Sequence, residues 1–374
     1  MFIEEAAGNT IQTVLGPAES GRTNGLRDGY AEGYLRGRAS YIVGQPRPAF
    51  PVRKVKVLYV SSGKGFPYSP LDEAVTSTLR ALTTEMIAAV PGDPIADLAA
   101  QHKPDLLLAL DGLELPAEHV DAVRAMGIPT AVWFTDDPYY TDLTIPLSSH
   151  YDYVFTLERN CVEPYRTAGC SHVHYLPFAA FPGHYRPTLI PSPHRRNLSF
   201  IGSAYWNRVI YLQPVLPALM EQGLMINGIW WDRLPEFPAY ADRIELGKWM
   251  GPMETAEVYS GSKIVLNLHR SPFEEDVNNN QAGIPAASPN PRTFEISACA
   301  TLQLVDARDD LTSFYLPGEE IETFSSPEEL VDKVRYYLTH EEERREIALR
   351  ALDRTLREHT YANRLDQLLS VIFG

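Results

Sequence analysis

Residues 266–306 read LNLHRSPFEEDVNNNQAGIPAASPNPRTFEISACATLQLVD, a strand, a long polar loop, a helix and a second strand in direct succession. The first apolar run ends at His269 and Arg270, and the loop carries Asn278, Asn279 and Asn280. Asn290 stands where an N-cap belongs, with Arg292 and Glu295 in the helix start that follows. An arginine beside a helix N-terminus suits a phosphate group, and a glutamate one turn further in can accept two hydroxyl hydrogen bonds from a ribose. Asn290 as a cap and Glu295 as a helix-start acid also have structural readings. Their clustering at consecutive strand ends favours a binding role.

The same alternation extends outward in both directions. VRKVKVLYV (52–60), PDLLLALDG (104–112), IPTAVWFTDDP (128–138), YDYVFTLE (151–158) and HVHYLPFAA (172–180) read as strands. A helix is expected from about Pro70 to Ala89, another over 116–127 closed by Gly127, and a short one over 159–169. After the Pro-rich, basic stretch 183–197 the pattern restarts with LSFIGSAYWNR (198–208), a helix over 209–223, the strand LMINGIWWDR (224–233) and a short helix over 253–262. Amphipathic helices follow residue 328, with Leu330, Val334, Tyr337 and Leu338 at helical spacing. This order implies an α/β protein of two doubly wound, parallel-sheet, Rossmann-like domains facing a cleft. Ahead of them, GLRDGYAEGYLRGRASYIVG (25–44) puts Gly29, Gly33 and Gly37 on one helical face beside Tyr30 and Tyr34, and reads as a docked helix or a partly ordered arm.

Composition narrows the function. Lys and Arg number 33 against 48 Asp and Glu, a net charge of -15 that disfavours bulk nucleic-acid binding. Three cysteines are too few for a disulfide framework or a four-thiolate zinc site, and they point to a reducing, cytoplasmic compartment. The first residues, MFIEEAAGNTIQTV, lack the basic-then-apolar order of a signal peptide, and no apolar run reaches the ~20 residues of a membrane span.

Three further constellations sit at strand ends. SSGKGFPYSP (61–70) has Gly63 and Gly65 but no third glycine and no Gly-Lys-Ser/Thr, so a nicotinamide site and a Walker loop are both disfavoured. The pair reads either as a turn or as a loop that lets an acceptor approach the backbone. WFTDDPYY (133–140) offers Asp136 and Asp137 as a general base or hydroxyl binder and Tyr139 as a ring platform. Such an Asp pair also resembles a divalent-cation site, and at least one member is expected to cap the next turn. FIGSAYWNR (200–208) brings the Gly202-Ser203 turn and Arg208 together, donors and a positive charge fit for a diphosphate.

NPRTFEISACATLQLVD, PGEEIETFSSPEELVDKVRYYLTHEEERREIALRA and EHTYANRLDQLL resemble the carboxyl domain of CgeB-like, spore-maturation glycosyltransferases, and WFTDDP and YDYVFTLE resemble its amino half. The resemblance spans most of residues 52–374. It implies the GT-B fold, with an acceptor domain (51–185), a donor domain (197–355) and a final helix (356–374) crossing back onto the first domain, behind the helical arm read over 1–50. It implies a nucleotide-sugar donor, UDP-linked by expectation, with no obligatory metal, and a glycan, peptide or small-molecule acceptor in surface or spore modification. Glu295 matches the donor-ribose glutamate, Arg208 the diphosphate-binding basic residue, and Gly202-Ser203 the turn where phosphate meets backbone. The loop at Trp249, Met250 and Gly251 matches the base grip. Two positions depart from the family: Ala287 stands where many relatives carry a first glutamate, and Ala300 where a glycine is usual. Ala287 keeps a catalytically silent sugar-binding or assembly protein open beside the transferase, as does a nucleotide-sugar epimerase or hydrolase on the same fold.

Overall fold

The computed structural model describes residues 17–274 and 276–374. The expectation for the first sixteen residues lies outside that range. Helix α1 (Pro17–Val43) opens the described chain. The first sheet follows, with β1 (Arg53–Val60), α2 (Ser69–Leu82), β2 (Thr83–Ala89), α3 (Ile95–His102), β3 (Leu106–Leu110), α4 (Ala117–Ala125), β4 (Thr130–Trp133), α5 (Thr141–Ser148), β5 (Tyr153–Thr156), α6 (Val162–Thr167) and β6 (His172–Tyr175). The second is built from β7 (Arg196–Ile201), α7 (Trp206–Leu212), α8 (Leu216–Glu221), β8 (Leu224–Gly228), β9 (Ile244–Leu246), α9 (Pro252–Gly261), β10 (Ser262–Asn267), α10 (Pro291–Ala298), β11 (Leu302–Asp306) and β12 (Glu322–Phe324). Helices α11 (Pro327–Thr339), α12 (Glu341–Glu358) and α13 (Tyr361–Phe373) close it.

Both sheets are parallel throughout, ordered β2-β1-β3-β4-β5-β6 and β12-β11-β10-β7-β8-β9. The strand order reverses between β1 and β3 in one and between β7 and β10 in the other, and ligand crevices open at the carboxyl ends of strands beside such reversals. The continuous apolar run of β3 follows from burial on both faces: Leu106, Leu108 and Leu110 join one core and Leu107 and Ala109 the other. The expected crossover of the last helix is present. Leu365, Leu368 and Leu369 of α13 are fully buried against α2 and β1 of the first half, and each contributes roughly 1.5–3 kcal/mol of burial. A capping box formed by Thr360 and Asn363 starts that helix, and the Ala180 backbone pairs with both His359 and Tyr361.

Several elements differ from expectation. The helix foreseen to Ala89 stops at Leu82, and Thr83–Ala89 is an edge strand on β1, because β-branched Thr83 and Thr84 break the helical run and Met86 to Ala89 find backbone partners in Val57 to Val60. Pro214 and Pro217 split the helix foreseen over 209–223 into α7, a tight turn and α8. Strands β9 and β12 were not foreseen; each is three residues long at a sheet edge. Helix α1 docks through its later turns, where Leu35, Ala39 and Ile42 meet Leu349 and Leu352 of α12, Arg36 donates to the Ser260 carbonyl and Arg38 pairs with Glu346, and Arg47 just beyond the helix pairs with Asp353.

Candidate functional site

Between the carboxyl ends of the two sheets lies a cleft of ≈ 410 Å³ lined from both halves. On the second-half wall, β7 and β8 end so close together that a Cβ on Gly228 would stand 2.1 Å from the Gly202 carbonyl oxygen. Gly202 itself has a positive φ of 155°, and a Cβ there would meet Arg208 Nη1 at 3.0 Å and Arg292 Nη2 at 3.4 Å. The two guanidinium groups thus flank one glycine. Arg208 is 2% exposed and donates from Nε to the Leu268 carbonyl and from Nη1 to that of Ser203, each at 2.9 Å. Burial, with Arg292 beside it, pushes its pKa down to about 9, which leaves it charged at neutral pH.

Arg270 is held differently. Its guanidinium lies over the rings of Tyr139 at 4.4 Å and Tyr205 at 4.6 Å and donates to the Val277 carbonyl at 2.7 Å and to Asn278 Oδ1. His269 is buried, its Nδ1 2.5 Å from Asp306 and its Nε2 accepting the Asn290 N–H at 2.9 Å. With Nε2 accepting, Nδ1 carries the proton toward Asp306, and burial holds the ring below its ordinary pKa. His269 therefore fixes the start of α10 rather than offering a free base. Asn290 caps α10 through Oδ1 to the Thr293 N–H and bonds Asn267 with its amide, so it too positions the helix. Glu295 lines the cleft from the same helix near Tyr185 and Tyr259, and burial raises its carboxyl to about 7. Trp249 and Met250 line the mouth, with Trp249 54% exposed and edge-on to Phe66 of the other half at 6.1 Å. Gly251 caps α9 and is not among the lining residues, which corrects its expected place.

Across the cleft, Asp136 follows β4 and accepts from Tyr68 Oη at 3.0 Å and Thr135 Oγ1 at 2.8 Å. Both bonds go to Oδ2, so Oδ1 is left for a ligand. Asp137 is a correction. At 1% exposure its two oxygens accept from Thr144, Thr156 and Tyr165, and burial raises its pKa to about 6. It lines the cleft beside Asp136, but three hydroxyls occupy its oxygens and tie it to the loop; among the described residues no group of three or more His, Cys, Asp or Glu is set to hold an ion. Gly63 and Gly65 are a second correction: both take positive φ in a turn, Gly63 packs toward Pro91, and neither lines the cleft, whereas Phe66, Pro67 and Tyr68 do. Lys64 between them reaches Asp111 at 2.7 Å. Tyr139 joins the halves, its hydroxyl donating to the Arg270 carbonyl at 3.2 Å.

Sequence reasoning missed a second tie between the halves. The loop between β10 and α10 leans on the first half: the Asn279 N–H donates to the Tyr139 carbonyl at 2.7 Å, the Gln281 N–H to Asp142 at 3.1 Å, and Asn160 Nδ2 to the Pro285 carbonyl at 2.9 Å. Glu158, after β5 and 1% exposed, accepts the Ala287 and Ser288 N–H groups on one oxygen at 3.1 and 3.0 Å and that of Asn160 on the other. A carboxylate from the first half thus grips the second half's backbone at Ala287 and Ser288. Tyr185, His184 and Tyr361 also line the cleft from stretches read as linker and tail.

Two such halves with a crossing helix define the GT-B class. Solved structures of that fold match over most of the chain: a glycosyltransferase from Rickettsia africae ESF-5 (TM-score 0.60, 11% identity, 86% of this chain and 98% of that one), sucrose-phosphate synthase from Thermosynechococcus elongatus (0.57, 10%, 86% and 99%), and Anabaena Alr3699/HepE in complex with UDP and glucose (0.57, 10%, 84% and 98%). Residues 208–370 match the glycosyl transferase-like family. The chain is also 29% identical to the spore protein CgeB of Bacillus subtilis (strain 168) over 311 residues, 82% of this chain and 95% of that protein, so the CgeB-like resemblance read from the sequence holds.

Proposed function

We propose that this protein transfers a sugar from a nucleoside diphosphate sugar to an acceptor hydroxyl. The observation that carries the reading is the pair Arg208 and Arg292 on either side of Gly202, next to the α10 N-terminus and facing Asp136 across the cleft. The diphosphate lies against the two guanidinium groups, which stabilise the negative charge that grows on it as the sugar–oxygen bond breaks. The acceptor hydroxyl bonds to the sugar carbon, and Asp136 Oδ1 takes its proton, with Tyr68 and Thr135 holding the other oxygen. The HepE complex with UDP and glucose supports UDP as the carrier, and Glu295 then meets the ribose hydroxyls. Trp249 and Met250 at the mouth supply an apolar surface for the base. A glycan, peptide or small-molecule acceptor enters from the Asp136 side. We place the reaction in the cytoplasm; among the described residues no helix is long and apolar enough to cross a membrane. The test is calorimetric titration with UDP-sugars followed by a transfer assay over an acceptor panel. Donor binding lost in Arg208→Met and Glu295→Ala supports the assignment, and unchanged binding in both rejects it.

A further inference from the structure

Tyr361 begins α13, at the point where the chain has returned to the first half. Its backbone N–H donates to the Ala180 carbonyl and its ring packs against Trp133 and Phe178, each with centroids 6.1 Å away, so the side chain is rigidly placed. It is 3% exposed, lines the cleft, and its hydroxyl is buried with no hydrogen-bond partner. An unpaired buried hydroxyl is costly; Tyr59, Tyr165 and Tyr175 avoid that cost by donating to Asp72, Asp137 and Asp310, and of the unpartnered tyrosine hydroxyls, those of Tyr151, Tyr211 and Tyr361, Tyr361 is the one that lines the cleft.

The surroundings say what would satisfy it. Burial and the carboxylates of Glu295 and Asp72 push the phenol far above its ordinary pKa, so it is a donor at any physiological pH. Asp72 is spoken for: Oδ1 accepts from Tyr59 and the Ser62 N–H, and Oδ2 from Ser62 Oγ. Glu295, half-buried in the second half, has the Tyr185 hydroxyl as a side-chain partner and Arg292 beside it, which leaves acceptor positions open on its carboxylate. A group that accepts from Tyr361 while donating to Glu295 would complete both, and a hydroxyl does both at once.

We propose that Tyr361 and Glu295 together bind a ring hydroxyl of the nucleotide sugar, Tyr361 donating to it and Glu295 accepting from it. The inference rests on the nucleotide-sugar reading above and adds a contact from the tail helix to the donor site. The hydroxyl belongs either to the ribose or to the transferred sugar. Calorimetric titration of the full chain and its Tyr361→Phe variant with UDP, 2′,3′-dideoxy-UDP and UDP-glucose separates the two. The variant loses only an unpaired hydroxyl, so its melting temperature stays equal to or above that of the wild type, while UDP-glucose affinity falls about fivefold to tenfold. A ribose contact lowers UDP affinity by the same factor and leaves dideoxy-UDP unaffected; a contact to the transferred sugar leaves UDP unaffected. Wild-type and variant proteins that bind all three ligands equally well overturn the inference. A wild type that binds none of them overturns the nucleotide-sugar reading itself.

Discussion

The carboxyl ends of the two sheets handle charge in opposite ways. In the first half, Asp111 is met by Lys64, Asp137 by three hydroxyls and Glu158 by three backbone N–H groups, and Asp136 alone among these keeps an oxygen without a partner. In the second half, Arg208 is held by backbone carbonyls and Arg270 by tyrosine faces, a carbonyl and an amide. Among the described residues neither these two nor Arg292 forms an ion pair within 4.0 Å. A chain of net charge -15 thereby holds three cationic groups at one wall without neutralising them. Carbonyl dipoles and ring faces fix a guanidinium while leaving its charge for an incoming anion; a carboxylate would cancel it.

Variants that break this contrast should act in graded order. Asp136→Asn removes the proton acceptor and should slow sugar transfer roughly 100- to 10,000-fold while nucleotide affinity stays within about twofold, read by steady-state kinetics beside calorimetry. Arg208→Met strips a buried, hydrogen-bonded cation from the other wall and should weaken UDP binding about 100-fold or more, on the order of 2–5 kcal/mol. Glu158→Ala leaves the Ala287 and Ser288 N–H groups unpaired between the halves, and chemical denaturation should show a loss of about 2–4 kcal/mol.

The pH response of Glu295 sharpens the contrast further. Its carboxyl is raised from 4.5 to about 7, so the folded protein holds a proton that the unfolded chain releases. Stability associated with this group is therefore complete below about 4.5 and declines as pH rises to about 7. Hydroxyl acceptance needs the ionised form, so UDP affinity should rise as pH increases toward 7 and level off above it, and Glu295→Gln should flatten the profile. The smallest effect is expected at Ala300, which sits at φ +57°, a conformation that favours glycine; Ala300→Gly should stabilise the fold by about 1 kcal/mol in a melting experiment.

Most of the fold was legible because buried parallel strands such as β3 and β4 are continuous apolar runs. Of the edge strands, β6 was read from HVHY, whereas β2, β9 and β12 were not: β2 follows α2 without a break, β9 and β12 are three residues each, and their identity comes from a neighbour rather than from their own pattern. In the site, Arg208, Arg292 and Glu295 stood out because strand end, turn and helix start are adjacent in sequence. Glu158 and Tyr361 carry no local motif: one meets a loop some 130 residues later, and the other arrives on a helix that packs on the far half. Gly63 and Gly65 mislead for the converse reason, since a glycine turn is visible locally but the direction it faces is set by packing against Pro91.

The central claim is that the two walls divide the work, the second half holding the diphosphate and the first half handling the acceptor proton. Calorimetric titration of UDP into the wild type, Arg208→Met and Asp136→Asn tests it most directly. The account predicts binding that is lost in Arg208→Met and preserved in Asp136→Asn; equal binding by Arg208→Met, or loss in Asp136→Asn, would contradict it.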